Sequence, residues 1–177
     1  AIEIRDSWTA AGLKPRSILS MVYTGQGRFE EARRLLYEIQ EKGDPQPIAI
    51  DEGWPILAEA RLAAAEGRWL NALRLFENAA DIFDRLDMQW QQAHVFLEWA
   101  DAHRSRREPT DLEQARTLLQ KASSLFTEMG TPFYANLAKE WLQALEIASF
   151  AQALAHQKVD REMAAAGKIQ SGLLPVK

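Results

Sequence analysis

Internal repetition is the strongest constraint on how this chain can fold. The stretches GRFEEARRLLYEI (27–39), GRWLNALRLFENA (67–79) and TDLEQARTLLQKA (110–122) align without gaps. Each carries a small residue, Ala32, Ala72 or Ala115. Four residues later comes Leu36, Phe76 or Leu119, and three after that Ile39, Ala79 or Ala122. The i, i+4, i+7 spacing is one face of an α-helix, and the small residue marks where a second helix approaches closely. Gly27 and Gly67 fall just before the first two copies, where a tight helix–helix turn is required. The third copy follows the longer loop REPTD, with Thr110 or Asp111 as N-cap.

A further helix precedes each copy. PRSILSMVYTGQ has Pro15 placed to open it. DEGWPILAEARLAAAEG is alanine-rich, with acidic residues expected in its first turn. WQQAHVFLEWADAHRSRR puts Ala93, Phe96, Leu97 and Ala100 on one stripe. Breakers separate the pairs: KGDPQP at 42–47, RLD at 85–87 and MGTP at 129–132. The unit is helix, turn, helix, break, with a period near 40: Ala32 to Ala72 is 40 residues and Ala72 to Ala115 is 43. No β-alternating segment of useful length interrupts it. The expected fold is all-α, a solenoid of about three and a half helix-turn-helix repeats with a long C-terminal helix.

This pattern resembles tetratricopeptide (TPR) repeats. The resemblance rests on Tyr23, Ala32 and Leu36 in the first copy and on Ala60, Gly67, Ala72 and Phe76 in the second, and covers roughly residues 13–145. The period is longer than that family's, and Trp54 and Trp90 miss the register of its tryptophan. The longer spacing is similar to extended TPR variants in bacterial regulatory proteins. If first helices line a concave face, as the resemblance implies, the groove candidates are Lys14, Met21, Trp54, Leu57, Arg61, His94, Glu98 and Asp101. The implied ligand is a protein or peptide.

After MGTP no proline interrupts residues 133–174, and no glycine precedes Gly167. One helix or two abutting helices fit. Phe133, Leu137, Trp141, Leu145 and Ala148 suit a cap over the last repeat, whose apolar face is otherwise bare. Farther on, Val159, Met163, Ala166, Ile169 or Gln170, and Leu173 continue at coiled-coil spacing. Such a seam is too narrow for a globular core and calls for a partner helix. The expected division is a repeat domain, 1–148, and an amphipathic linker helix, 149–177.

The segment EMAAAGKIQSGLLP resembles the linker helix that precedes the catalytic domain of SpoIIE-type bacterial PPM serine/threonine phosphatases. Ala166, Gly167, Ile169, Gln170, Leu173, Leu174 and Pro175 match that signature. The resemblance implies a homodimer through this helix and a phosphatase domain following Lys177 in a longer chain. It makes these residues a regulatory region that relays a signal. The alternative is a TPR scaffold or ligand-binding region of another bacterial regulator, a transcription factor or cyclase.

Catalysis by these residues themselves is not expected. The histidines are His94, His103 and His156. His94 and His103 stand nine residues apart, on opposite sides of a helix. No third ligand joins His103 with Asp101 or Glu98 at metal spacing, and the chain has no cysteine. GQG at 25–27 is a helix–helix turn with no strand before it, so it is no phosphate loop. No cofactor or metal site is expected. Arg104, Arg106 and Arg107 suit the C-terminal end of a helix, where cations oppose the dipole. Net charge −4 argues against a dedicated nucleic-acid binder. The apolar stretch IASFAQALAHQ is too short for a bilayer, and AIEIRD is not a signal-peptide opening. A cytoplasmic location is therefore expected.

Overall fold

The computed structural model describes residues 12–42 and 49–172, with backbone alone at 42, 49, 152, 155–156 and 165–172. Those residues form seven α-helices and one short 3-10 turn, and no strand occurs among them. The helices are α1 (Leu13–Gly25), α2 (Phe29–Lys42), α3 (Gly53–Ala65), α4 (Trp69–Arg85), α5 (Gln89–Arg106), α6 (Asp111–Glu128) and α7 (Pro132–Gly172), with the 3-10 turn Ala49–Asp51 before α3. Asp51 and Glu52 thus precede the first turn of α3 rather than lying in it. Among the described residues no helix is long and apolar enough to cross a membrane.

Packing is local along the chain. Each helix from α3 onward lies against the next, and α1 lies along both α2 and α3. Contacts of this kind, each unit against its neighbours, are those of a helical repeat array. The repeated small residues serve close approach: Ala32 and Ala72 are 0% exposed and Ala115 is 1% exposed. A methyl side chain at these crossings leaves room for the facing helix. Ser20 of α1 donates from its hydroxyl to the Ala32 carbonyl at 3.2 Å, tying the first pair together at the same point. Phe76, Phe83, Leu119 and Phe126 fill the interior between pairs. Full burial of such side chains contributes about 1.5–3 kcal/mol each.

One turn closes four of the helices. The N–H of Arg28, Arg68, Met88 and Thr131 each reaches back to the carbonyl of Tyr23, Ala63, Phe83 and Phe126, at 2.8–2.9 Å. This six-residue closure needs a left-handed residue just before the donor. Gly27, Gly67 and Gly130 supply it with φ of 73°, 72° and 66°, while Asp87 takes the same place with φ 53°. The break at RLD is therefore the same turn with a costlier residue. Gly53 answers a different need. Phe83 lies across the start of α3, and a Cβ at residue 53 would stand 2.5 Å from its ring.

The α5–α6 connection is built otherwise. Arg107 caps α5 with φ 62°. Thr110 takes the N-cap of α6 without a side-chain cap bond. Asp111, 1% exposed, turns its carboxylate back over the loop. It accepts from the Glu108 N–H at 2.7 Å, Arg106 Nε at 3.0 Å and Nη2 at 2.7 Å, and His103 Nδ1 at 2.5 Å. Burial alone would push this carboxyl up. The hydrogen bonds from Arg106, His103 and Glu108 outweigh it and hold Asp111 at about 2. Arg106, expected at a solvated helix end, is instead held by this buried carboxylate, which raises its own pKa.

α7 is one unbroken helix of 41 residues, about 62 Å long at 1.5 Å per residue. It runs through residues 148 and 149 as continuous α-helix. Ala135, Ala138 and Leu145 are buried, and Leu142 packs beside them. Past Leu145 no residue whose side chain is described is buried.

Candidate functional site: a groove across α3 and α5

α3 follows α1 closely but meets α5 only lightly. The gap between α3 and α5 is crossed by one ion pair. Arg61 binds Glu98 through two hydrogen bonds, Nε to Oε2 and Nη2 to Oε1, the latter at 2.6 Å. The bidentate fork ties the two helices together across that gap. Both side chains remain partly exposed, 40% and 23%, so the pair adds geometry more than stability.

Beneath and beside this bridge is a cavity of about 440 Å³, within the range of small-ligand and side-chain pockets. Phe76 of α4 is its apolar floor, and Trp69 and Trp141 stand at its walls. Ala64, Ala65 and Ala102 keep the walls low, which lets another backbone come near. Met21, Arg61, Glu98 and Asp101 all line it, so half of the groove residues expected from sequence meet in one place.

The other four do not. Lys14 and Trp54 pair with each other outside this cavity, the ammonium 5.0 Å from the indole centroid. Trp54 also meets Phe83 edge-on at 5.8 Å. Leu57 is a correction: it is 4% exposed and belongs to the core. Its position on α3 faces the neighbouring helices, and an apolar side chain there is packed, not presented. His94 is also a correction. It lies in an aromatic cluster with Trp90, Phe126 and Tyr134, at centroid distances of 4.5–5.1 Å. Its Nδ1–H donates to the Trp90 carbonyl at 2.8 Å. That cluster joins α5, α6 and α7, and the groove lies elsewhere on α5.

Trp69, Phe76 and Trp141 went unassigned to the groove by sequence, because two come from second helices and one from α7. Arg104 stands next to the groove without lining it. Its Nη2 donates to Asp101 at 2.6 Å, and its guanidinium stands 5.3 Å from the centroid of Trp141. A second, wider cavity of about 880 Å³ lies behind Arg104, between the α5–α6 loop and Ala144, Leu145 and Ala148 of α7. It places the Asp111 loop beside the point where α7 leaves the repeats.

Of the expected linker residues, those from Val159 to Gln170 fall on the outer half of α7. Val159 and Met163 are exposed. Ala166, Ile169 and Gln170 lie on the helix, with their side chains outside the described residues, and Leu173 and Leu174 lie outside them altogether. One register relation joins the halves. The packed positions 135, 138, 142 and 145 continue, in alternating steps of four and three, through 149, 152, 156, 159, 163, 166, 170 and 173. The expected seam is thus the heptad continuation of the face that covers the repeats. Ser149, Gln152 and His156 make its middle polar.

No group of three or more histidine, aspartate or glutamate side chains able to hold a metal ion occurs among the described residues. No family model matches the chain, and no curated protein or solved structure matches it.

Proposed function

We propose that this chain is a non-catalytic interaction and dimerisation module of TPR type, the regulatory region of a bacterial PPM-type serine/threonine phosphatase. The groove across α3 and α5 takes a protein or peptide ligand. The outer half of α7 pairs with a second copy and carries the response toward the phosphatase domain. The reading is supported most by α7 itself: a continuous helix, packed over its first part, whose packing register runs on into exposed Val159 and Met163. The repeat spacing and the match of residues 166–175 to the SpoIIE-type linker supply the rest.

Solution mass by light scattering tests it, on residues 1–177 and on a chain ending at Ala148. The expected result is a dimer that becomes a monomer on truncation. Two monomers, or two dimers, would each remove the outer helix from dimerisation and refute the reading. A Mn²⁺-dependent phosphatase assay on residues 1–177 is expected to read zero.

A further inference from the structure

Among the groove residues, one pair is occupied by the protein's own side chain. Asp101 and Trp141 both line the cavity, one on α5 and the other on α7. Arg104, which lines the wider cavity instead, reaches the same two residues. Its guanidinium is hydrogen-bonded to the carboxylate and set against the indole, as a bound cation would be. We propose that Asp101 and Trp141 form a seat for an arginine or lysine side chain of the groove's peptide ligand, and that Arg104 holds this seat until the ligand arrives. The proposal rests on the groove being a peptide site.

Three observations carry it. First, the Arg104–Asp101 pair is weakly held: the side chains are 51% and 45% exposed and three residues apart on one helix. Such pairs contribute little and exchange readily with solvent. Second, the charge left in the groove is negative. Arg61 already forms a bidentate pair with Glu98 through Nε and Nη2, so Asp101 is the carboxylate that becomes vacant when Arg104 swings out. An anionic ligand would meet Glu98 and Asp101 with no unengaged cation among the lining side chains. Third, the small Ala102 beside Asp101 leaves the approach from the groove open. An incoming cation also changes what touches α7, because Trp141 stands one turn before Leu145, the last buried residue among the described side chains of that helix. Ligand occupancy and the base of the projecting helix therefore share a residue.

The test uses residues 1–177 intact. N-acetyl-arginine amide is titrated while the Trp141 indole N–H is followed by NMR, with its assignment made by Trp141→Phe. N-acetyl-citrulline amide, of the same shape without the charge, and N-acetyl-glutamate amide are the controls. The expected result is a saturable shift with the arginine probe alone, lost in Asp101→Asn. Arg104→Ala is expected to tighten binding about threefold or more, since a competitor for the seat is removed. No saturable shift in Arg104→Ala, equal binding of citrulline or glutamate, or unchanged binding in Asp101→Asn would overturn the seat. Arg104 is exposed and Asp101 half-exposed, so neither substitution endangers the fold. Failure here with the dimer intact sinks the seat alone. Arginine binding by a chain that stays monomeric sinks the dimer reading alone.

Discussion

The two halves of α7 share one backbone geometry and differ in everything around it. Over Pro132–Leu145 the helix closes the last repeat: Leu145 is 4% exposed, and Ala135 and Ala138 sit under it against the core. Beyond that point Phe150 is 68% exposed and Met163 69% exposed. Hydrophobic residues occur in both. What separates them, among the described residues, is a neighbouring helix, present for the first half and absent for the second. An isolated helical segment of this length is marginal in water, so the outer half depends on propensity, on continuity with the anchored half and on any partner it finds. The packed apolar residues of the first half therefore stabilise the fold, with Phe133, 72% exposed, as the exception, while those of the second half are exposed.

Substitutions on the two sides of Leu145 should break that contrast if it is wrong. Leu145→Ala is expected to lower unfolding stability by about 2–5 kcal/mol, against about 0.5 kcal/mol or less for Phe150→Ala, both measured by urea denaturation. Equal losses would mean that the outer half is packed in solution.

Asp111→Ala comes next, with about 2–3 kcal/mol lost, because Arg106 and His103 are left without their buried acceptor. The wild-type carboxyl is held at about 2, below its ordinary 3.8. Its contribution is therefore complete above the unfolded value and lost as pH falls through the folded one. Unfolding stability should drop between about pH 4 and pH 2 by about 2 kcal/mol in the wild type, a drop that is absent in Asp111→Ala. Because this loop borders the cavity under Ala144 and Ala148, hydrogen exchange in α7 should quicken near residue 145 in the variant and stay unchanged past 159.

Met163→Asp sharpens the comparison from the other side. Self-association should weaken at least about tenfold by sedimentation, a loss near 1.4 kcal/mol. The stability of the truncated repeat region cannot feel it. The smallest effect is expected from Asp87→Gly, a gain of about 0.5 kcal/mol, because glycine adopts the left-handed turn without a Cβ penalty while costing some unfolded-state entropy. The gain should raise the melting temperature of the repeats and leave exchange in the outer half of α7 as it was.

The fold was legible wherever a residue type was forced by geometry. Ala32, Ala72 and Ala115 had to be small, and Gly27 and Gly67 had to tolerate positive φ. Asp87 hid the same turn, since aspartate serves many loops, and only the backbone shows it in glycine's place. Half of the groove candidates line one cavity. Met21, Arg61, Glu98 and Asp101 lie where first-helix positions place them, whereas Leu57 and His94 sit at register angles that a single sequence leaves ambiguous by part of a turn. Leu57 turned into the core and His94 into the aromatic cluster. The His103–Arg106–Asp111 network escaped because it is closed across a loop. An acid at the first position of α6, just after a basic helix end, was the available signal, and a solvated cap reads the same way.

The length of α7 has a mechanical consequence. While α7 stays helical, it acts as a rod and amplifies a tilt at its anchored end. From Leu145 to Gly172 is 27 residues, about 40 Å at 1.5 Å per residue, so a tilt of about 5° at the repeats would carry the far end through roughly 3.5 Å. Side chains need only settle differently around Trp141 for the tip to move by about the width of an atom.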